Sequence, residues 1–141
     1  MNKKRWLGTW KLESCELQTA GGSIKYPYGK NATGYIMYLE KSRMAVIISG
    51  DNRKSFATDD LLGGTTDEKL AAFDSYISYC GTFEVGNETV IHHIDTSLFP
   101  NWVGTDQERI YRFEGDLLYL STKPFLIQGE QQTAYLIWQR V

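Results

Sequence analysis

The sequence predicts an all-β protein, a single antiparallel barrel of eight to ten strands with one short helix covering an end. Three observations carry this. Short runs rich in Val, Ile, Tyr, Phe, Trp and Thr recur along most of the chain, and these residues suit a half-buried pleated surface. Turns containing Gly and Asn, of hairpin type, separate the runs. One segment alone carries helical periodicity.

The first run, Leu7 to Leu17, ends at Ala20-Gly21-Gly22, and Tyr26-Pro27-Tyr28-Gly29 makes a further turn. Gly34 to Leu39 and Met44 to Ser49 follow, joined through Glu40 to Arg43. Thr65 and Glu68 then stand three apart, as in a capping box. Leu70, Phe73 and Ile77 share a helical face, which predicts a helix over Thr66 to Tyr79 with Gly81 after its end. Strands resume at Thr82 to Val85 and Thr89 to Asp95, linked by Gly86-Asn87. Glu108 to Phe113, Leu117 to Thr122 and Thr133 to Arg140 complete the set, with Gly115-Asp116 turning the first of these into the second.

Eight strands in a chain of 141 residues fit one domain, 1–141, with one core. Closing the sheet removes its edges. A barrel of about eight strands encloses space for packed side chains or one small ligand. Nine Tyr, six Phe and four Trp supply the bulk for such an interior or the lining of a cavity. A sandwich is the alternative, but a lone helix suits a barrel, whose open end it can cover.

Charge and composition exclude several functions. The formal net charge is −2 and the longest basic run is Lys3-Lys4-Arg5, so the clustered cations needed against nucleic-acid phosphates are missing. No apolar run approaches membrane-spanning length, and the opening MNKKRWLGTW has no apolar signal core. The expected setting is cytoplasmic, with no membrane partner. Cys15 and Cys80 lack metal-ligand spacing and read as two free thiols. The adjacent pair His92-His93 lacks a third convergent His or Cys, so no metal is expected. No phosphate loop, dinucleotide fingerprint or nucleophile motif is present, and no cofactor is expected.

Gly8-Thr9-Trp10 opening the first strand, with Arg140 closing the last, resembles the lipocalin pattern, in which the tryptophan crosses the closed end and the arginine packs over it. The longer strings YPYG (Tyr26 to Gly29), GYIMY (Gly34 to Tyr38), YISYCGTFEV (Tyr76 to Val85) and HHIDTSLFPNWVGTDQERIYRF (His92 to Phe113) resemble the bacterial and fungal lipocalin-like domain family. The resemblance implies a lipocalin-type barrel with an internal pocket. The chain departs from secreted lipocalins at Gln107, which stands where the aromatic of their second motif would be.

Strand alternation turns His92 inward with Val90, Ile94 and Thr96, and His93 outward. On the next strand Gln107, Arg109, Tyr111 and Phe113 share one face. On the first, Trp10, Leu12 and Ser14 face together, against Lys11, Glu13 and Cys15. Phe99-Pro100-Asn101-Trp102 crosses a barrel mouth, and Tyr76 lies on the buried side of the helix. The candidate ligand-binding residues are therefore His92, Asn101, Trp102, Gln107, Arg109, Tyr111 and Tyr76. Each also has a structural reading: His92 as a hydrogen-bonded core residue, the Phe-Pro-Asn-Trp turn as a plug, Arg109 in an ion pair. Two functions follow. One is a binding protein for a small apolar or amphipathic molecule with one polar head. The other is a cofactor-independent isomerase or cyclase, with His92 as acid or base and Arg109 against an oxyanion. Assembly as monomer or homodimer stays open.

Overall fold

The computed structural model describes residues 3–141. One antiparallel sheet contains ten strands: β1 (Gly8–Thr19), β2 (Ile24–Lys25), β3 (Thr33–Leu39), β4 (Arg43–Ser49), β5 (Tyr76–Val85), β6 (Thr89–Ser97), β7 (Asp106–Glu114), β8 (Leu117–Thr122), β9 (Phe125–Ile127) and β10 (Glu130–Arg140). Eight of them, all but β2 and β9, form a meander that closes where β1 pairs with β10, from Trp10 opposite Arg140 to Thr19 opposite Gln132. The short β2 and β9 add to β1 and β10 at the rim. The helix, α1 (Thr66–Asp74), lies between β4 and β5.

Connection lengths give the barrel two unlike ends. Tight turns join β3 to β4, β5 to β6 and β7 to β8 at one end. Every long connection, including α1 and the Phe-Pro-Asn-Trp turn, emerges at the other. The tight end is closed by aromatics. Trp10 is fully buried, donates its indole N–H to the Trp6 carbonyl at 3.0 Å, and carries the Arg140 guanidinium at 4.1 Å from its ring. That stack is a cation–π contact. Arg140 also donates to the carbonyls of Leu7 and Arg5. Gly8, at φ 128°, leaves the space this guanidinium occupies: a Cβ there would sit 3.2 Å from Arg140 Nη1. Trp6 fills the centre, edge-on to Tyr38, Tyr111 and Phe113 at 4.7–5.1 Å. The basic run of the sequence finds its role here, with Lys3 over the Phe83 ring and Arg5 over the Phe113 ring.

Three expectations change. The helix stops at Asp74, and Tyr76 to Val85 is strand. The capping box between Thr65 and Glu68 forms as read, but Ser75 ends the helix, its hydroxyl bonding back to the Ala71 carbonyl at 2.7 Å. Ile77 then packs on the core from β5, while Leu70 and Phe73 stay 58% and 44% exposed. The shared spacing of these three residues was compatible with a helix, but the strand-forming run after Ser75 had stronger long-range partners in β4 and β6. The third change is in β1. A bulge between Leu12 and Ser14 shifts the register against β10 and turns Cys15, not Ser14, into the core. Cys15 and Cys80 are both free thiols. Burial pushes the Cys15 thiol pKa up to about 12, with Glu16 adding to it.

A second bulge, between Cys80 and Gly81, brings β5 and β6 so close that a Cβ on Gly81 would lie 1.8 Å from the His93 carbonyl oxygen. Real Cβ atoms cannot approach backbone that closely, so Gly81→Ala forces the two strands apart. The expected cost is about 1–3 kcal/mol or more, in the range of overpacked cores. Urea unfolding measures it, and an unchanged midpoint would show that the bulge does not need its glycine.

Candidate functional site

The two histidines of β6 separate as alternation requires. His93 faces out, its Nδ1 2.6 Å from an Asp106 carboxylate oxygen and its Nε2 3.3 Å from Glu84. The Asp106 hydrogen bond raises its pKa, with Glu84 adding to it, against the opposing effect of burial. His92 faces in and is 1% exposed. Its Nε2 lies 2.8 Å from the Tyr38 hydroxyl and its Nδ1 2.8 Å from the Tyr79 hydroxyl.

This Tyr–His–Tyr chain is neutral. Burial holds the His92 pKa well below the ordinary imidazole value, with help from the charges of Arg109 and His93. A neutral imidazole offers one donor and one acceptor, so one phenol donates to the ring and the other accepts from it. Burial also lifts both phenols above the usual tyrosine value. At Tyr79 the nearby Arg109 guanidinium opposes that rise through its charge and a hydrogen bond. A polar chain thus runs through the barrel from Tyr38 by way of His92 to Tyr79, with the Arg109 charge close to its end.

Arg109 opens on a cavity of about 210 Å³ at the open end, lined also by Trp102, Gln107, Glu108, Thr122 and Phe125, among others. Pairing β7 with β8 sets Arg109 opposite Thr122. The Pro100–Trp102 turn brings Trp102 over the mouth, edge-on to Tyr79 at 5.8 Å and near Phe125 at 6.4 Å. Gln107 donates to the Thr105 hydroxyl at 3.0 Å, which leaves its amide oxygen free to accept. Arg109 donates to the Glu108 carbonyl at 3.1 Å and pairs with no carboxylate among the described residues. The carboxylates beside it are engaged elsewhere: Glu108 with Lys123 at 2.8 Å and Asp106 with His93.

A larger cavity, about 540 Å³, lies between the Asn52–Phe56 segment and α1, and no strand contributes to it. Its Arg53 is committed to the Ala72 carbonyl and the Ser75 hydroxyl, and its Glu68 to the N–H groups of Ala57 and Thr65. The smaller cavity is therefore the stronger candidate, since it keeps free polar groups beside aromatic walls.

Of the residues singled out from sequence, Trp102, Gln107 and Arg109 meet at this cavity. His92 stands behind its wall, one hydrogen bond beyond Tyr79. Asn101 is exposed on the turn and does not line the cavity. Tyr76 is half-buried under the Arg53 guanidinium, 4.9 Å from its ring. Tyr111 packs on Trp6 at the closed end, its hydroxyl donating to the Gly86 carbonyl at 2.8 Å. It shares a face with Arg109, but two residues along a strand separate the two by most of a barrel layer. Tyr38, Tyr79, Thr122 and Phe125 were not foreseen as site residues. The alternation that turned His92 inward could have placed Tyr38 beside Ile36, whereas β9, which carries Phe125, is too short to leave a pattern.

The search for relatives agrees with the barrel. A model of the lipocalin-like domain matches residues 7–141. The chain is 37% identical over 91 residues to the 4'-hydroxy-3'-methoxypropiophenone carrier protein of Aspergillus oryzae, covering 58% of this chain and 82% of that protein. No solved structure matches. With its β1–β10 seam closed and the family model spanning nearly its whole length, the chain belongs to the lipocalin-like domain family.

Proposed function

We propose that this protein is a carrier for a small aromatic ketone bearing a ring hydroxyl, held at the open end of the barrel. The observation that carries the reading is an Arg109 guanidinium without a carboxylate partner, set in a cavity beside Trp102 and Phe125. Aromatic side chains give area to a planar ligand, and Arg109 and Gln107 fix its oxygens. The named cargo of the Aspergillus oryzae relative has this chemistry. At about 210 Å³ the cavity suits a single substituted ring rather than a drug-sized molecule. Two free cysteines fit a cytoplasmic setting.

The isomerase or cyclase reading receives less support. Both nitrogens of His92 are engaged, and the ring reaches the cavity only through Tyr79. Titrating the protein with 4'-hydroxy-3'-methoxypropiophenone while following tryptophan fluorescence tests the carrier reading. Saturable quenching is expected, with the compound recovered unchanged. Arg109→Ala should weaken binding by about 1.5–3 kcal/mol, or roughly 10- to 150-fold, the worth of a charge-assisted hydrogen bond. An affinity untouched by that change would place the ligand elsewhere.

A further inference from the structure

We infer that the cavity takes its ligand as an anion, a phenol with an acyl group para to the oxygen bound as its phenolate. The inference rests on the carrier reading and adds the ionisation state that the site selects. In such a phenolate the charge is shared across the ring with the carbonyl oxygen, so the anion behaves as a stretched carboxylate. A planar guanidinium recognises that kind of delocalised oxygen charge well.

The surroundings of Arg109 support this from every side. On β7, Glu108 is engaged by Lys123 from the β8–β9 connection, and Asp106 by His93 of β6. On β5, Tyr79 offers a hydroxyl; behind it His92 of β6 and Tyr38 of β3 complete the chain. Burial keeps all three uncharged. The oxygen that Arg109 bonds in the protein is a neutral backbone carbonyl, and no carboxylate among the described residues pairs with it. A half-buried cation balanced by dipoles alone favours a ligand that brings negative charge. Gln107 stands on the same face of β7, and one of its two amide N–H bonds goes to Thr105, which leaves the other to donate to a ligand oxygen.

The test uses 4'-hydroxyacetophenone, whose phenolate absorbs at longer wavelength than its phenol, and its 4'-methoxy analogue, which cannot ionise. Absorbance spectra of the 4'-hydroxy probe are taken with saturating full-length protein across a pH series that starts below the free phenol's own ionisation. The expected result is a phenolate band at pH values where the free probe is neutral. Its apparent ionisation should move down by about one to two pH units, the equivalent of roughly 10- to 100-fold tighter binding of the anion. The methoxy analogue should bind more weakly by a similar factor. Arg109→Gln should abolish the shift, and Arg109→Lys should keep part of it. A bound probe that stays neutral in its spectrum, or a methoxy analogue that binds equally well, overturns the inference while leaving the carrier reading intact. Failure of both compounds to bind would instead remove the carrier reading itself.

Discussion

Replacing Trp10 by Ala is expected to cost about 3–5 kcal/mol, the range for deleting a buried large aromatic. In a domain of this size that lowers the melting temperature by roughly 10–20 °C. The loss has three sources. The indole leaves a cavity at the closed end, where Phe113 loses a ring at 5.8 Å. The Trp6 carbonyl loses the donor it holds at 3.0 Å. Arg140 keeps its carbonyl partners but loses the ring beneath it. Trp10→Phe, which restores ring volume but not the N–H, should recover part of the loss. A calorimetric melt of the alanine variant that matches the parent would show that the closed end does not depend on this residue.

His92→Ala should be comparably severe, at about 3–5 kcal/mol, and for a different reason. A buried polar group left without a partner costs about 1–3 kcal/mol, and this change orphans two, the hydroxyls of Tyr38 and Tyr79, each 2.8 Å from the ring. The missing ring adds a cavity. His92→Gln supplies one donor and one acceptor again and should lose less. Urea unfolding of the two variants, read as shifts in midpoint at constant slope, separates these outcomes. Equal stability of His92→Ala and the parent would mean that the Tyr–His–Tyr chain contributes nothing to the fold. The same consideration changes how a functional role for His92 must be probed. Loss of binding or turnover in His92→Ala would be mixed with loss of structure, so Tyr79→Phe, which keeps the ring and removes one hydroxyl, is the cleaner variant.

Much of the architecture could be read in the residues. The alternation in Val90, His92 and Ile94 gave the inward face of β6 correctly, because side-chain parity on a regular strand follows from backbone geometry alone. Trp10 and Arg140 met as the Gly-Thr-Trp resemblance implied. Parity failed in β1 at Ser14 and Cys15, since a bulge is a property of two strands and neither sequence announces it. The helix reads on to Tyr79 in the sequence because local spacing cannot weigh the pairing of β5 with β4. At the site, Trp102, Gln107 and Arg109 were found together, yet Tyr111 was carried along with them. Facing inward does not say at which height a side chain sits, and Tyr111 belongs to the plugged end. Asn101 lies off the cavity for a related reason: a polar residue in a turn over a mouth can as easily point to water.

The seam between β1 and β10 has a consequence for how the molecule is made. Trp10 pairs with Arg140 and Leu17 with Ala134, so the barrel's first strand is completed by its last. Until then β1 and β8 each present an unpaired edge, and the aromatic plug under Trp6 has no lid from Arg140. Contacts of such long sequence separation slow folding, and open edges in the waiting chain invite pairing with other chains. Barrel closure is thus expected to be a late step of folding, and chains truncated before β10 should be aggregation-prone rather than partly functional.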